Sequence, residues 1–360
     1  MIVRHSHDPQ SSPRVPPAIP AIGGLLVVLT LMLIGVILLG VAIGSVSVPV
    51  PIVAKIILNH LMPNTVSVTW TPTQDQIVWQ FRLPRVLLAV IVGAALSVSG
   101  TALQAMVRNP LADPYLFGVS SGASVAAVAV LTLGTAAIGG LSLSFAAFGG
   151  AMLTMVVVYA LAQQSGRVIP TRLVLAGVSL GYVLSAMTSY LVLRSTTPYG
   201  GAAAVLTWLA GNLGGAKWQY LGLPSLAVLG STGLLMLQFR SLNAVLAGDE
   251  TAISLGVNLH RFRIQLFVLS SLMVGTVVAM SGAIGFVGLM IPHIVRLLVG
   301  VDHRYVLPTS ALLGGVYMVL VDLIGRIVIA PQELPVGIVT AMIGGPFFIW
   351  LMRQRSGGVG

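Results

Sequence analysis

Long uncharged apolar runs, separated by short polar breaks, make up most of the chain. Residues 21–44 form the first. Residues 114–166 hold no charge at all, and at about 1.5 Å of rise per residue they suffice for two helical crossings of a bilayer. Comparable runs cover 86–106, 173–193, 218–239, 264–295, 306–321 and 335–352. None alternates apolar with polar residues as the short strands of a membrane barrel would. The pattern therefore predicts an all-α polytopic membrane protein. Asn109-Pro110 and Asp113-Pro114 mark a turn after the second span. Gly139-Gly140 predicts the turn that divides 114–166, and Gly282, Gly285 and Gly288 predict a break that divides 264–295 into two shorter spans. The count is ten spans. Residues 45–81 read as a polar connector rich in Pro and Thr, and 195–217 as a loop carrying a short surface helix.

Composition agrees with this reading: 56% of the 360 residues are hydrophobic and 7% charged, against about 25% charged in soluble domains. A net charge of +10 would suggest nucleic acid in a soluble protein. In a membrane protein it follows from cations held in cytoplasmic loops, and no nucleic-acid partner is expected. Ten spans put both termini on one side. If that side is the cytoplasm, the inner segments hold Arg4, Arg14, Arg108, Arg167, Arg172, Arg240, Arg261, Arg263, Arg296, Arg304, Arg353 and Arg355. The outer ones hold Lys55, Arg82, Arg85, Arg194, Lys217 and Arg326, so the bias supports that orientation. The Pro-rich residues 1–20 read as a disordered cytoplasmic tail, 21–353 as one transmembrane domain, and 354–360 as a second short tail. The first run exceeds the 7–15 apolar residues of a cleavable signal and reads as a retained span.

Much chemistry is excluded. Without cysteine there is no disulfide or thiolate cluster. No G-x-x-x-x-G-K-[ST] loop is present, so the chain itself binds no ATP. The histidines are scattered, and no catalytic residue, metal ligand or resident cofactor is expected. Among the acidic residues only Asp322 approaches a span, which argues against an ion-coupled carrier, whose carboxylates lie within the membrane. Two polar islands remain. Residues 240–263 contain Asp249 and Glu250 where a helix N-terminus favours negative charge, then Gly256 as a stop; a solvated connector and a docking element both fit. Arg82, Arg85 and Arg326 lie on the outer side, where they serve either as interfacial anchors or as bidentate partners for carboxylates of another protein.

The stretches "RLPRVLLAVIVGAALSVSGTALQAMVRNPLADPYLFGVSSGAS", "GDETAISLG", "GAIGFVGLMIPHIVR" and "ELPVGIVTAMIGGPFFIWLM" resemble the FecCD family. These are the permease subunits of ATP-binding-cassette importers for iron-siderophores, haem and cobalamin. The resemblance implies ten helices, with helices 2–5 and 7–10 as inverted repeats, and a homodimer in the bacterial inner membrane with its path at the subunit interface. Gly248, Asp249, Glu250, Ala252, Leu255 and Gly256 match the segment that couples to two cytoplasmic ATPase subunits, which use ATP and Mg. Arg82, Arg85 and Arg326 match residues that receive acidic groups of a periplasmic binding protein. Asn109 and Leu111 match residues near the cytoplasmic gate. Haem is the expected cargo, with ferric siderophores and cobalamin as alternatives.

Overall fold

The computed structural model describes residues 19–44, 46–134, 142–164, 167–194 and 201–356. The expected N-terminal tail, up to residue 18, and the Gly139-Gly140 turn lie outside them. Among the described residues, eight helices are long and apolar enough to cross a membrane, and they account for eight of the ten predicted spans.

In chain order the helices are α1 (Ile19–Ala42), α2 (Val50–Leu61), α3 (Pro72–Val107), α4 (Val119–Leu133), α5 (Leu143–Ala162), α6 (Pro170–Arg194) and α7 (Gly201–Leu209). They continue with α8 (Trp218–Leu237), α9 (Phe239–Ala247), α10 (Asp249–Ser254), α11 (Leu259–Ser281), α12 (Val287–Val299), α13 (His303–Ile327) and α14 (Val336–Ser356). Strand structure among the described residues is confined to a two-residue antiparallel ladder, Gln163–Gln164 with Arg167–Val168.

The centre of the fold is α3. Its most apolar window is 78% buried, against 17% in α6 and 22% in α14. It packs against α1, α11, α12 and α13, while α4, α5 and α6 form a second group joined to it through α11. Small residues set the closest crossings. A Cβ on Gly93 would overlap the Gly314 carbonyl, and one on Gly314 would overlap the Gly93 carbonyl and the Ser97 hydroxyl. The backbones of α3 and α13 therefore touch, as small residues allow where no hydrophobic driving force exists between helices in lipid.

Several predicted boundaries move. The second span starts at Pro72, well before residue 86, with Thr71 and Gln74 forming a capping box. Within it residues 77–82 form a π-helical turn, next to Pro84, which has no N–H for the regular ladder. The connector 45–81 contains α2, an amphipathic helix that the Pro- and Thr-rich reading overlooked. Asp322 lies inside α13, which runs on to Ile327. The last helix reaches Ser356, into the stretch read as a tail.

The predicted break in 264–295 is present, but its halves are unequal. Helix α11 has 23 residues and α12 has 13, the latter about 20 Å long. Helix α12 begins partway along α3, where Gly288 meets Gly100. Helix α4 is also short, at 15 residues, and follows a single 3₁₀ turn at Pro114–Phe117. The third and eighth predicted spans are thus short apolar helices, one fed by a 3₁₀ turn and the other by non-helical backbone at 282–286.

Candidate functional site

Polar chemistry concentrates at the two ends of the α3–α13 pair and where the two non-helical feeds meet.

At one end stand the three predicted arginines. Arg82 and Arg326 are 8% and 7% exposed. Arg82 donates to the carbonyls of Val41, Ala42 and Val46. Arg326 donates to Gly40 O at 2.8 Å and Ile43 O at 3.1 Å. Two guanidinium groups therefore satisfy the carbonyls left open where α1 ends, and their charge suits a helix C-terminus. Between them Asp322 is fully buried. Its Oδ1 accepts from Arg85 Nε at 2.9 Å, and its Oδ2 lies 3.1 Å from Arg326 Nε as an ion contact outside hydrogen-bond alignment. Arg85 also donates from Nη1 to Glu333 Oε2 at 2.8 Å. The sequence reading missed Asp322 and Glu333 as partners of these arginines. The i,i+4 spacing of Asp322 and Arg326 on one helix was the available signal.

At the opposite end, Gly248 separates α9 from α10 at a φ of +136°, and Gly256 closes α10 at +80°, conformations that suit glycine. The predicted short helix therefore exists, preceded by a second one. Arg261 and Arg263, at the end of the polar stretch 240–263, lie in the first turns of α11, which Asn258 caps. The segment is fastened down. Arg263 donates to both oxygens of Asp249, at 2.9 and 2.8 Å, and Arg108 stands 3.5 Å from the same carboxylate. Asn243 of α9 donates to Asp302 at 2.7 Å and accepts from the His303 backbone N–H at 2.9 Å, tying the segment to the start of α13. Ala252 is buried, while Glu250, Ile253 and Leu255 face outward, the last two 61% and 69% exposed. Asn109 and Leu111 share this end in an exposed turn, where Asn109 Oδ1 accepts from Leu111 N at 2.9 Å.

Between the ends, Tyr115 binds residue 284 twice. Its hydroxyl donates to Ile284 O at 2.9 Å and accepts from Ile284 N at 2.8 Å. Non-helical backbone at depth must find such partners. Asp113 Oδ1 accepts from Tyr115 N at 2.7 Å and caps the turn that leads into α4. Beside this junction an open cavity of about 440 Å³ is lined by Asp113, Tyr115, Tyr182, Ser185, Phe286 and their neighbours on α6 and α12. Helix α6 presents Leu175, Tyr182, Val183, Tyr190 and Leu193 outward, uncovered by the rest of the chain. Nearby, Gln104 donates to Gly288 O at 3.1 Å and accepts from Arg296, a buried polar bridge absent from the sequence reading.

Comparison with known proteins agrees with this architecture. The model of the FecCD transport family matches residues 31–354. The Halobacterium salinarum cobalamin import system permease protein BtuC is 41% identical over 284 residues, covering 79% of this chain and 75% of the relative. The Yersinia pestis hemin transport system permease protein HmuU is 38% identical over 294 residues, covering 80% and 87%. A solved structure, described as an inward-facing conformation of a metal-chelate-type ABC transporter, superposes with a TM-score of 0.79 at 32% identity. It covers 92% of this chain and 99% of its own.

Proposed function

The chain belongs to the FecCD transport family, the membrane permeases of ABC importers, and on that footing we propose how it works. Two copies of it form the path for haem or another iron chelate across a bacterial inner membrane, with both termini in the cytoplasm. The observation that carries this reading is the built segment of α9 and α10. It is held from inside by Asp249 and Asn243, and it presents Ile253 and Leu255 to whatever lies beyond. Rigid backing with an apolar, exposed outer face suits docking by a pair of ATPase subunits, and Gly248, Asp249, Glu250, Ala252, Leu255 and Gly256 form the coupling element. Asn109 and Leu111 lie at the same end and belong to the inner gate.

The uncovered face of α6 and the cavity beside Asp113 and Tyr115 supply the wall that a second copy completes. The arginine end, where three guanidinium groups face two carboxylates, keeps a positive balance. It receives acidic residues of a periplasmic binding protein through Arg82, Arg85 and Arg326. ATP and Mg act in the partner subunits, whose nucleotide cycle moves the path between two states by differential affinity.

For the cargo, haem follows from the overall likeness, and the hemin permease relative supports it. Cobalamin is the second reading, supported by the BtuC relative. Proteoliposomes holding the permease and its ATPase test both. The expected result is ATP-dependent uptake, with ATPase activity stimulated by a binding protein loaded with haemin and less by one loaded with a ferric siderophore or cobalamin. Uptake that persists without ATP or the ATPase would overturn the importer mechanism.

A further inference from the structure

The three arginines that the docking proposal groups together are not equivalent. Arg82 and Arg326 are buried, and their N–H groups are committed to the carbonyls at the end of α1. To reach an outside carboxylate, either would have to abandon those carbonyls and uncap the helix. Arg85 differs. Its Nε is bound to the buried Asp322, but its Nη1 points outward to Glu333.

Glu333 is 47% exposed against 12% for Arg85. It sits on the loop between α13 and α14, where Leu334 N bonds Gly325 O and Gln332 N bonds Ile329 O. That backbone is held independently of the Glu333 side chain, whose one hydrogen-bond partner among the described residues is Arg85. Exposed ion pairs of this kind contribute little and exchange readily. The neighbouring Arg85–Asp322 contact is buried and does not.

We propose that Glu333 is an internal place-holder on Arg85. Its carboxylate occupies the position that an acidic side chain of the binding protein takes on docking, and it swings into solvent when that side chain arrives. Of the three docking arginines, Arg85 is the one covered in this way, while Arg82 and Arg326 also cap α1. The inference rests on the docking reading above and adds a competitor to it. An intramolecular carboxylate at high effective concentration lowers the apparent affinity for an external one. The complex consequently forms more weakly than the bare arginine would allow and releases the empty binding protein more easily.

The test uses the full permease–ATPase complex in lipid nanodiscs and, as probe, the substrate-binding protein of the same importer. Dissociation constants are measured over a series of salt concentrations, and folding is checked by thermal stability. Glu333→Gln is expected to tighten docking three- to tenfold and to steepen its salt dependence. Arg85→Lys, which keeps a cation on Asp322, is expected to weaken docking at least tenfold and to suppress the gain from E333Q in the double variant. If R85K weakens docking while E333Q leaves it unchanged or weaker, the place-holder is wrong and the docking reading stands. A gain from E333Q that persists undiminished beside R85K also overturns the place-holder, because Arg85 would not be the site of competition. If neither variant moves the dissociation constant while both fold, Arg85 has no part in docking, and the inference fails with that part of the reading.

Discussion

Arg263 donates to both carboxylate oxygens of Asp249, at 2.9 and 2.8 Å, across the turn that joins α10 to α11. The contact ties a six-residue helix to a membrane-spanning one. In the proposed coupling segment Asp249 is the inner anchor, and Ile253 is part of the outer face.

Changing each residue separates these roles. Ile253→Asp touches an exposed position, so stability is expected to change by no more than about 0.5 kcal/mol while binding of the ATPase is lost. Asp249→Asn is expected to leave the ATPase bound but to lower ATPase stimulation by the binding protein several-fold, at a stability cost of about 1 kcal/mol. Pull-down and ATPase assays on the two variants check the split; identical behaviour would remove the distinction.

Gly314 lies where the backbones of α3 and α13 touch, with no room for a Cβ. Gly314→Ala is expected to destabilise the fold by about 1–3 kcal/mol through overpacking, or to part the helices. Gly24→Ala on α1, where nothing lies within 4 Å, serves as the control and is expected to be neutral or slightly stabilising. Thermal melts in one detergent compare the pair.

Asp322 is the buried anion between Arg85 and Arg326. Asp322→Asn leaves two cations with no buried counter-charge, a loss of about 3–5 kcal/mol when one partner of a buried pair is removed. The expected outcome is poor membrane yield and an earlier melt, whereas E333Q, at an exposed site, melts as wild type. Equal melting of D322N and E333Q would show that the cluster is not structural.

The register of apolar runs already implied the helical class and most spans, because a chain with so few charges can cover that surface only with lipid or with itself. The glycines at 256 and 282 were legible too, since each stands where the chain turns at positive φ. Less legible were α2, whose polar neighbours hid a 12-residue amphipathic helix, and the early start of α3 at Pro72. Short helices were also misjudged in length, because uncharged extended backbone and uncharged helix look alike in composition. Periodicity says nothing of the Tyr115–Ile284 pair that satisfies such backbone.

Sequence alone determined that this is a polytopic helical membrane protein, where its chain breaks, and which polar residues needed an explanation. Those follow from local hydrophobicity and turn chemistry, which act within a few residues. Only the tertiary structure decided what the polar residues do. Arg82 meets Val41 and Ala42 about forty positions away, and Arg85 meets Asp322 and Glu333 more than two hundred positions away. Capping a distant helix, neutralising a buried carboxylate and holding an exchangeable one call for the same side chain. The difference lies in which groups packing brings within 3 Å, and no local pattern in the chain encodes that.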